Sequence, residues 1–274
     1  MNNVGGKFAT DLVQASTRVN YAQNLGLIHG LETMVSMAAD GAMSIKGGNW
    51  KIFEAMCDGS GAKVKLNTTV TSIQKNDRTG NWTIFSKPVQ ITTGIEGSHE
   101  NTRVMATEEE FDSVVLASPY QFSELDISPP LRKVPDEIPY VKLYVTLFTS
   151  PRALSPAYFN LPVGTLVPST ILTTLNDTEQ LNATMTGSPG VDGVGSVGFF
   201  SISSLRKVRK YVDGDESGPY AIENLYKVFS PAEFGDERIK EILGVSEEDG
   251  DKDAAISWSY RKIVSITIAF SRMK

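Results

Sequence analysis

Residues 45–73 read I-K-G-G-N-W-K-I-F-E-A-M-C-D-G-S-G-A-K-V-K-L-N-T-T-V-T-S-I, and their order decides how the rest of the chain is read. Gly47 and Gly48 predict a tight turn, because residues without Cβ enter the backbone region it requires at little cost, and Asn49 predicts the N-cap of a helix. Ile52, Phe53, Met56 and Cys57 recur at helical spacing and give that helix one apolar face. Gly59 and Gly61 predict its end. Val64, Leu66, Val70 and Ile73 follow among Thr, Ser and Asn, a composition suited to extended chain. The unit is glycine turn, helix, glycine loop, strand.

Upstream, Phe8, Leu12, Ala15 and Val19 predict a helix over residues 8–18, and residues 20–24 are a polar break. Leu27, Ile28, Leu31, Met34, Val35 and Ala38 form a broad stripe on a second helix from Leu25, which His29 joins as a packed or capping side chain. Downstream come a turn at residues 76–80, a strand around residues 82–85, a polar loop over 94–110 and a buried strand over 111–117 that Ser118 and Pro119 close. The alternation of Val141, Leu143, Val145 and Leu147 predicts a further strand. Others are expected at residues 169–175, 198–203, 220–229 and 256–260, with one helix near 232–243.

With 274 residues, 41% of them hydrophobic, the chain can bury a substantial core. A net charge of −6 and a pI near 5.1 argue against nucleic acid as a partner, since phosphate binding needs clustered cations. Arg206, Lys207, Arg209 and Lys210 do cluster, and read as a solvated face. A single cysteine excludes an internal disulfide, and Cys57 on its apolar helix face reads as a buried, inert thiol. Two histidines, His29 and His99, are too few for most metal sites, so no metal is expected. No transmembrane segment is expected, the apolar run near residues 263–273 being too short to span a bilayer, and no secretory signal peptide is visible.

The glycine-turn, helix and strand order of residues 45–73 resembles a segment of the flavin-dependent amine oxidase and phytoene desaturase superfamily. Q-A-S-T-R-V-N-Y-A-Q-N (14–24), H-G-L-E (29–32) and A-D-G-A-M (39–43) resemble the prenylcysteine oxidase (prenylcysteine lyase) family in its fungal form, and F-D-S-V-V-L-A-S-P (111–119) is similar to the strand and turn returning to the FAD domain. The resemblance implies an α/β (α+β) fold. It would be the middle portion of a two-domain FAD-dependent oxidoreductase: a helical segment with partial FAD-domain strands (1–140), a mainly β substrate domain (141–262) and an atypical tail (263–274) whose alternating apolar residues have no designed partner.

The same resemblance implies oxidation of the thioether of S-prenyl-L-cysteine, with FAD as cofactor and a lipophilic small molecule as substrate. Val70 would offer its backbone to the FAD adenine, Ala117 and Ser118 would lie near the dinucleotide, and Gly47 and Gly48 near the flavin end. Paired glycines also mark turns that bind nothing. Met34, Met37 and Met43 could line a tunnel for the prenyl chain, although each taken singly reads as an ordinary core methionine. Asn67, Asn81, Asn176 and Asn182 each open a glycosylation sequon; with the resemblance these imply secretory transit and a vacuolar, lysosomal or secreted parent protein.

Gly193-Val-Gly-Ser-Val-Gly198 matches the dinucleotide fingerprint letter for letter, but a Ser-Pro-Gly loop precedes it and the strand-like run 199–202 follows, so it is expected to be a flexible loop. The family's N-terminal βαβ unit and its C-terminal flavin-closing segment are not recognisable here. The chain alone is therefore expected to be inactive. Two alternatives remain open at this level: another lipophilic substrate on the same fold, or a catalytically inactive fragment that retains only lipophilic-ligand binding.

Overall fold

The computed structural model describes residues 6–38, 43–89, 106–137, 140–211, 214, 216–245 and 255–267. Expectations on 39–42, on most of the 94–110 loop and on 268–274 lie outside the described residues. The fold is mixed α and β, with two sheets, and the chain divides into two compact units: residues 1–40 with 139–274, and residues 41–138. One cut falls at 138/139, beside the expected boundary near 140; a second, at 40/41, groups the N-terminal helices with the C-terminal half.

A short turn α1 (Gly6–Phe8) and a π-helical turn (Ala9–Val13) lead into α2 (Gln14–Tyr21), so the helix predicted over 8–18 is present and runs three residues further. It stops where Ala22 takes a left-handed conformation at φ 53°. The second predicted helix is shorter than its stripe: Leu25–Leu27 is a single 3-10 turn, and α3 (Gly30–Met37) starts at His29, whose ring accepts from the Leu31 N–H at 3.2 Å. His29 therefore caps. Helix α3 docks by its polar edge, through Ser16, Asn20 and Ser36, with the Ser16 and Ser36 hydroxyls 2.6 Å apart. Leu31, Met34 and Val35 are left exposed.

In the second unit, α4 (Trp50–Ser60) follows the glycine turn, where Gly47 and Gly48 have φ of 90° and 118°. Asn49 precedes α4 but makes no cap; its Oδ1 accepts from the Ile45 N–H at 2.9 Å and tightens the turn instead. Gly61, at φ 70°, ends the helix, whereas Gly59 lies inside it. Ile52, Phe53 and Met56 are exposed and Cys57 is half-buried, so the expected inert, buried thiol is corrected to a partly accessible one. A four-stranded sheet follows in the order β3-β2-β1-β4, from β1 (Thr68–Lys75), β2 (Trp82–Pro88), β3 (Thr107–Phe111) and β4 (Asp126–Ser128). The Asn76 side chain accepts from the Arg78 N–H at 3.0 Å and fixes the β1–β2 hairpin, as its turn residues predicted.

The buried strand expected over 111–117 is not there. Phe111 ends the edge strand β3, and residues 112–117 run without a ladder partner, with Val115 88% exposed. A buried strand needs hydrogen-bonding neighbours on its backbone edges, and the described residues give this run none.

The larger unit continues with β5 (Tyr140–Ser150), β6 (Thr170–Leu172), α5 (Asp177–Gln180), α6 (Ala183–Thr186), β7 (Ser201–Tyr211), β8 (Tyr220–Ser230), α7 (Asp236–Ile242) and β9 (Trp258–Thr267). Its sheet has the order β6-β7-β8-β5-β9, antiparallel throughout. One face carries the core: Phe148 stacks on Tyr226 at 5.0 Å, and Ile202, Val228, Phe234, Ile239 and Ile242 close around them under α7. Each such side chain contributes about 1.5–3 kcal/mol through removal from water. Among the described residues, the opposite face is covered at one end, by Ala22, Val194 and Phe200 over Leu143, Val145 and Phe229. Strand β9 passes through the expected boundary at 262 without a break, pairing Ile263 with Tyr144 and Val264 with Leu143. The stretch 263–267, expected to lack a partner, is a paired edge strand.

Candidate functional site

The sequence-derived cofactor residues all fall in the second unit. Val70 is the third residue of β1, where its backbone faces Ser86 of β2, and a bulge at residue 71 follows. The parallel ladder with β4 begins only at Ser72, so on that side Val70 lies beyond the ladder. A nucleobase edge can pair with a backbone so placed, which makes Val70 compatible with the role implied for it. Ala117 and Ser118 lie in exposed irregular chain.

The turn at Gly47 and Gly48 is filled by its own neighbours. The Trp50 indole N–H donates to the Gly47 carbonyl at 3.0 Å, and a Cβ on Gly48 would meet the Trp50 ring at 2.5 Å. The pair therefore serves the turn's backbone geometry and the seating of Trp50; a phosphate cradle there would require that ring to move. Among the described residues, no hydrogen bond joins this turn, Val70 and the 117–118 segment.

Met34, Met37 and Met43 are 71%, 47% and 93% exposed. None is a core methionine. Asn67, Asn176 and Asn182 are exposed and Asn81 is half-buried. Asn176 forms a capping box with Glu179, and Asn182 caps α6, each through Oδ1. The side-chain nitrogen on which glycosylation acts takes no part in either cap.

The larger unit is organised by a residue the sequence reading passed over. Arg18 is fully buried on α2. Its guanidinium donates to Thr173 Oγ1 at 3.0 Å, Asn24 Oδ1 at 2.9 Å and the Val194 carbonyl at 2.8 Å, and it lies 5.2 Å from the Phe200 ring centre. Asn24 adds a bond to the Gly193 carbonyl at 2.7 Å. The letter-perfect glycine fingerprint is thus a loop, as its flanks predicted, but a clamped one rather than a flexible one. Burial lowers the Arg18 pKa to about 10, against the opposing effect of Glu179. Glu179 is itself desolvated, yet its pKa is lowered, because the backbone N–H groups of Ser196 and Asn176 bind its carboxylate. The available signal was the spacing of Ala15, Arg18 and Ala22, which puts an arginine in the buried stripe.

Lys227 is the second residue missed. It lies on β8, on the sheet face opposite the core, half-buried, with its ammonium 4.4 Å from the Phe229 ring centre and its pKa lowered by burial. Trp258 and Tyr260 stack nearly parallel on the same face, 6.3 Å apart and each 48% exposed. Among the described residues, no helix is long and apolar enough to cross a membrane, and no group of three or more His, Cys, Asp or Glu could hold a metal ion.

The chain is mixed α and β in two units, with the Val70 backbone beyond the parallel ladder in one and a partly covered apolar sheet face in the other. The prenylcysteine lyase family model matches residues 1–264, and the chain belongs to that family. A farnesylcysteine lyase of Arabidopsis thaliana is 28% identical over 170 residues, which are 61% of this chain and 29% of that protein. The chain thus spans less than a third of this relative's length.

Proposed function

We propose that the protein containing this chain is an FAD-dependent thioether oxidase acting on S-prenyl-L-cysteine in the breakdown of prenylated proteins. The observation that carries this reading is the family match across residues 1–264, supported by the farnesylcysteine lyase relative. The overall reaction is S-prenylcysteine plus water plus dioxygen to cysteine, a prenyl aldehyde and hydrogen peroxide. When bound, FAD supplies the two-electron acceptance from the prenyl carbon next to sulfur and passes the electrons to dioxygen.

The residues of this chain bind and orient. Val70 would hold the adenine edge through its backbone, with Ala117 and Ser118 along the dinucleotide. The half-covered face of the five-stranded sheet would shield the prenyl chain from water, and the exposed Met34 and Met37 of the same unit would supply adaptable apolar contact. Sequons at Asn67, Asn81, Asn176 and Asn182 support passage through the secretory pathway to a vacuolar, lysosomal or external destination.

The test is incubation of the flavin-loaded gene product with S-farnesyl-L-cysteine. Farnesal and hydrogen peroxide are expected in equal amounts. A flavin-loaded preparation that yields neither overturns the reading.

A further inference from the structure

We propose that Lys227 is a substrate-positioning residue: it anchors the carboxylate of an apolar-tailed ligand, while the tail lies across the open sheet face over Leu147, Tyr260 and Trp258. In the reading above, that ligand is S-prenylcysteine, and the identity of the tail rests on it.

Sheet register places these groups. Directly paired residues share a face, so Tyr260 on β9, Leu147 on β5 and Lys227 on β8 form one row. With strands about 4.8 Å apart, the row spans about 10 Å. Trp258, opposite Thr149, extends the wall by one step along β9. Behind the row, Phe229 and Val145 are closed over by Ala22, Val194 and Phe200. The surface is therefore an apolar shelf with a closed end, and one cation stands in its middle row.

That cation is unlike the other charged groups on the same face. Lys262, opposite Val145, and Arg206, opposite Leu225, are exposed to water. Glu223, further along β8, is taken: Ser257 Oγ donates to it at 2.6 Å and the Lys210 ammonium lies 3.6 Å away. Among the described residues, no carboxylate stands within ion-pair distance of Lys227. A half-buried ammonium without a carboxylate costs stability, and its ring contact with Phe229 offsets only part of that. A ligand carrying a carboxylate on an apolar tail supplies both missing parts, a counter-charge for Lys227 and cover for Tyr260 and Trp258.

The experiment follows Trp258 fluorescence in a Trp50→Phe, Trp82→Phe background of the full chain. S-farnesyl-L-cysteine, its methyl ester and dodecanoate are titrated in turn. The acid is expected to bind at least ten-fold tighter than the ester, a difference of about 1.4 kcal/mol. Lys227→Met should abolish that preference with ester affinity unchanged, and Lys227→Arg should retain it. Equal binding of acid and ester, or a preference that survives Lys227→Met, overturns the anchor while leaving the proposed function standing. If only dodecanoate binds, and does so through Lys227, the anchor stands and the prenylcysteine reading falls. Failure of all three probes to bind overturns the proposal.

Discussion

Replacing Arg18 by methionine tests the internal architecture most directly. The substitution keeps an unbranched apolar stem and removes a guanidinium whose bonds to Asn24, Thr173 and Val194 are all 3.0 Å or shorter. Three buried acceptors then lack a donor, at about 1–3 kcal/mol each. Against this, burial holds the Arg18 pKa near 10 instead of 12.5, so the charge it carries at neutral pH costs about 3 kcal/mol, which the variant recovers. The net loss these figures bound is about 0–6 kcal/mol, with a central expectation of about 3 kcal/mol, in the range seen when one partner of a buried charged network is removed. Trp258 is the single tryptophan of the larger unit, so in a Trp50→Phe, Trp82→Phe background its fluorescence reports the urea transition of that unit alone. Arg18→Met should lower the midpoint with little change in slope. Hydrogen exchange at residues 193–200 should rise as the clamped loop is released. A change below about 1 kcal/mol would refute the clamp, because it would mean that water satisfies those acceptors as well as Arg18 does.

Lys227→Met should stabilise the chain at pH 7: the folded state depresses the Lys227 pKa by burial, so between that lowered value and 10.5 the unfolded state binds more protons and stability rises with pH. The advantage of the variant should shrink as pH rises and vanish above about 10.5, as thermal melts across that range would show; a destabilised variant at pH 7 would reverse the argument. Gly61→Ala places a Cβ in open space at φ 70°, so it should cost about 1 kcal/mol of backbone strain, seen as a lower urea midpoint for Trp82 in the second unit. Gly193→Ala should cost more than that, because its Cβ would fall 1.9 Å from the Ser188 carbonyl oxygen and 3.1 Å from Asn24 Nδ2; a milder effect than Gly61→Ala, read by Trp258, would show that the loop yields.

Local features were legible in the sequence because local forces make them. The glycine turn, the helix ended by Gly61, the Asn76 hairpin and the alternating strand at 141–147 follow from backbone allowance and periodicity alone. What stayed hidden depends on partners far along the chain. The run Val114-Val115-Leu116 has the composition of a buried strand, but burial is conferred by neighbouring strands, and composition cannot state that none is described beside it. The grouping of the N-terminal helices with the C-terminal half stayed hidden for a similar reason: what fixes α2 is Arg18 reaching Thr173 and Val194, 155 and 176 residues away. The tail at 263–267 read as unpartnered because its ladder is with β5, more than a hundred residues earlier. Of the candidate site, the placing of Val70 within a strand after the glycine loop was readable, whereas the row joining Tyr260, Leu147 and Lys227 exists only through sheet register.

The wide separation between α2 and the elements that bury it also bears on synthesis. A ribosome adding about 5–20 residues per second needs about 8–30 s to go from Arg18 to Thr173. For that interval the guanidinium stays in water and the flanking Val13, Ala15 and Ala22 have no core to enter. The second unit, residues 41–138, emerges whole during the wait, and its short hairpin contacts can form as it does. Helix α2 is therefore secured later than the hairpins of residues 41–138, and a chaperone that binds its apolar stripe in the meantime would shield Val13, Ala15 and Ala22.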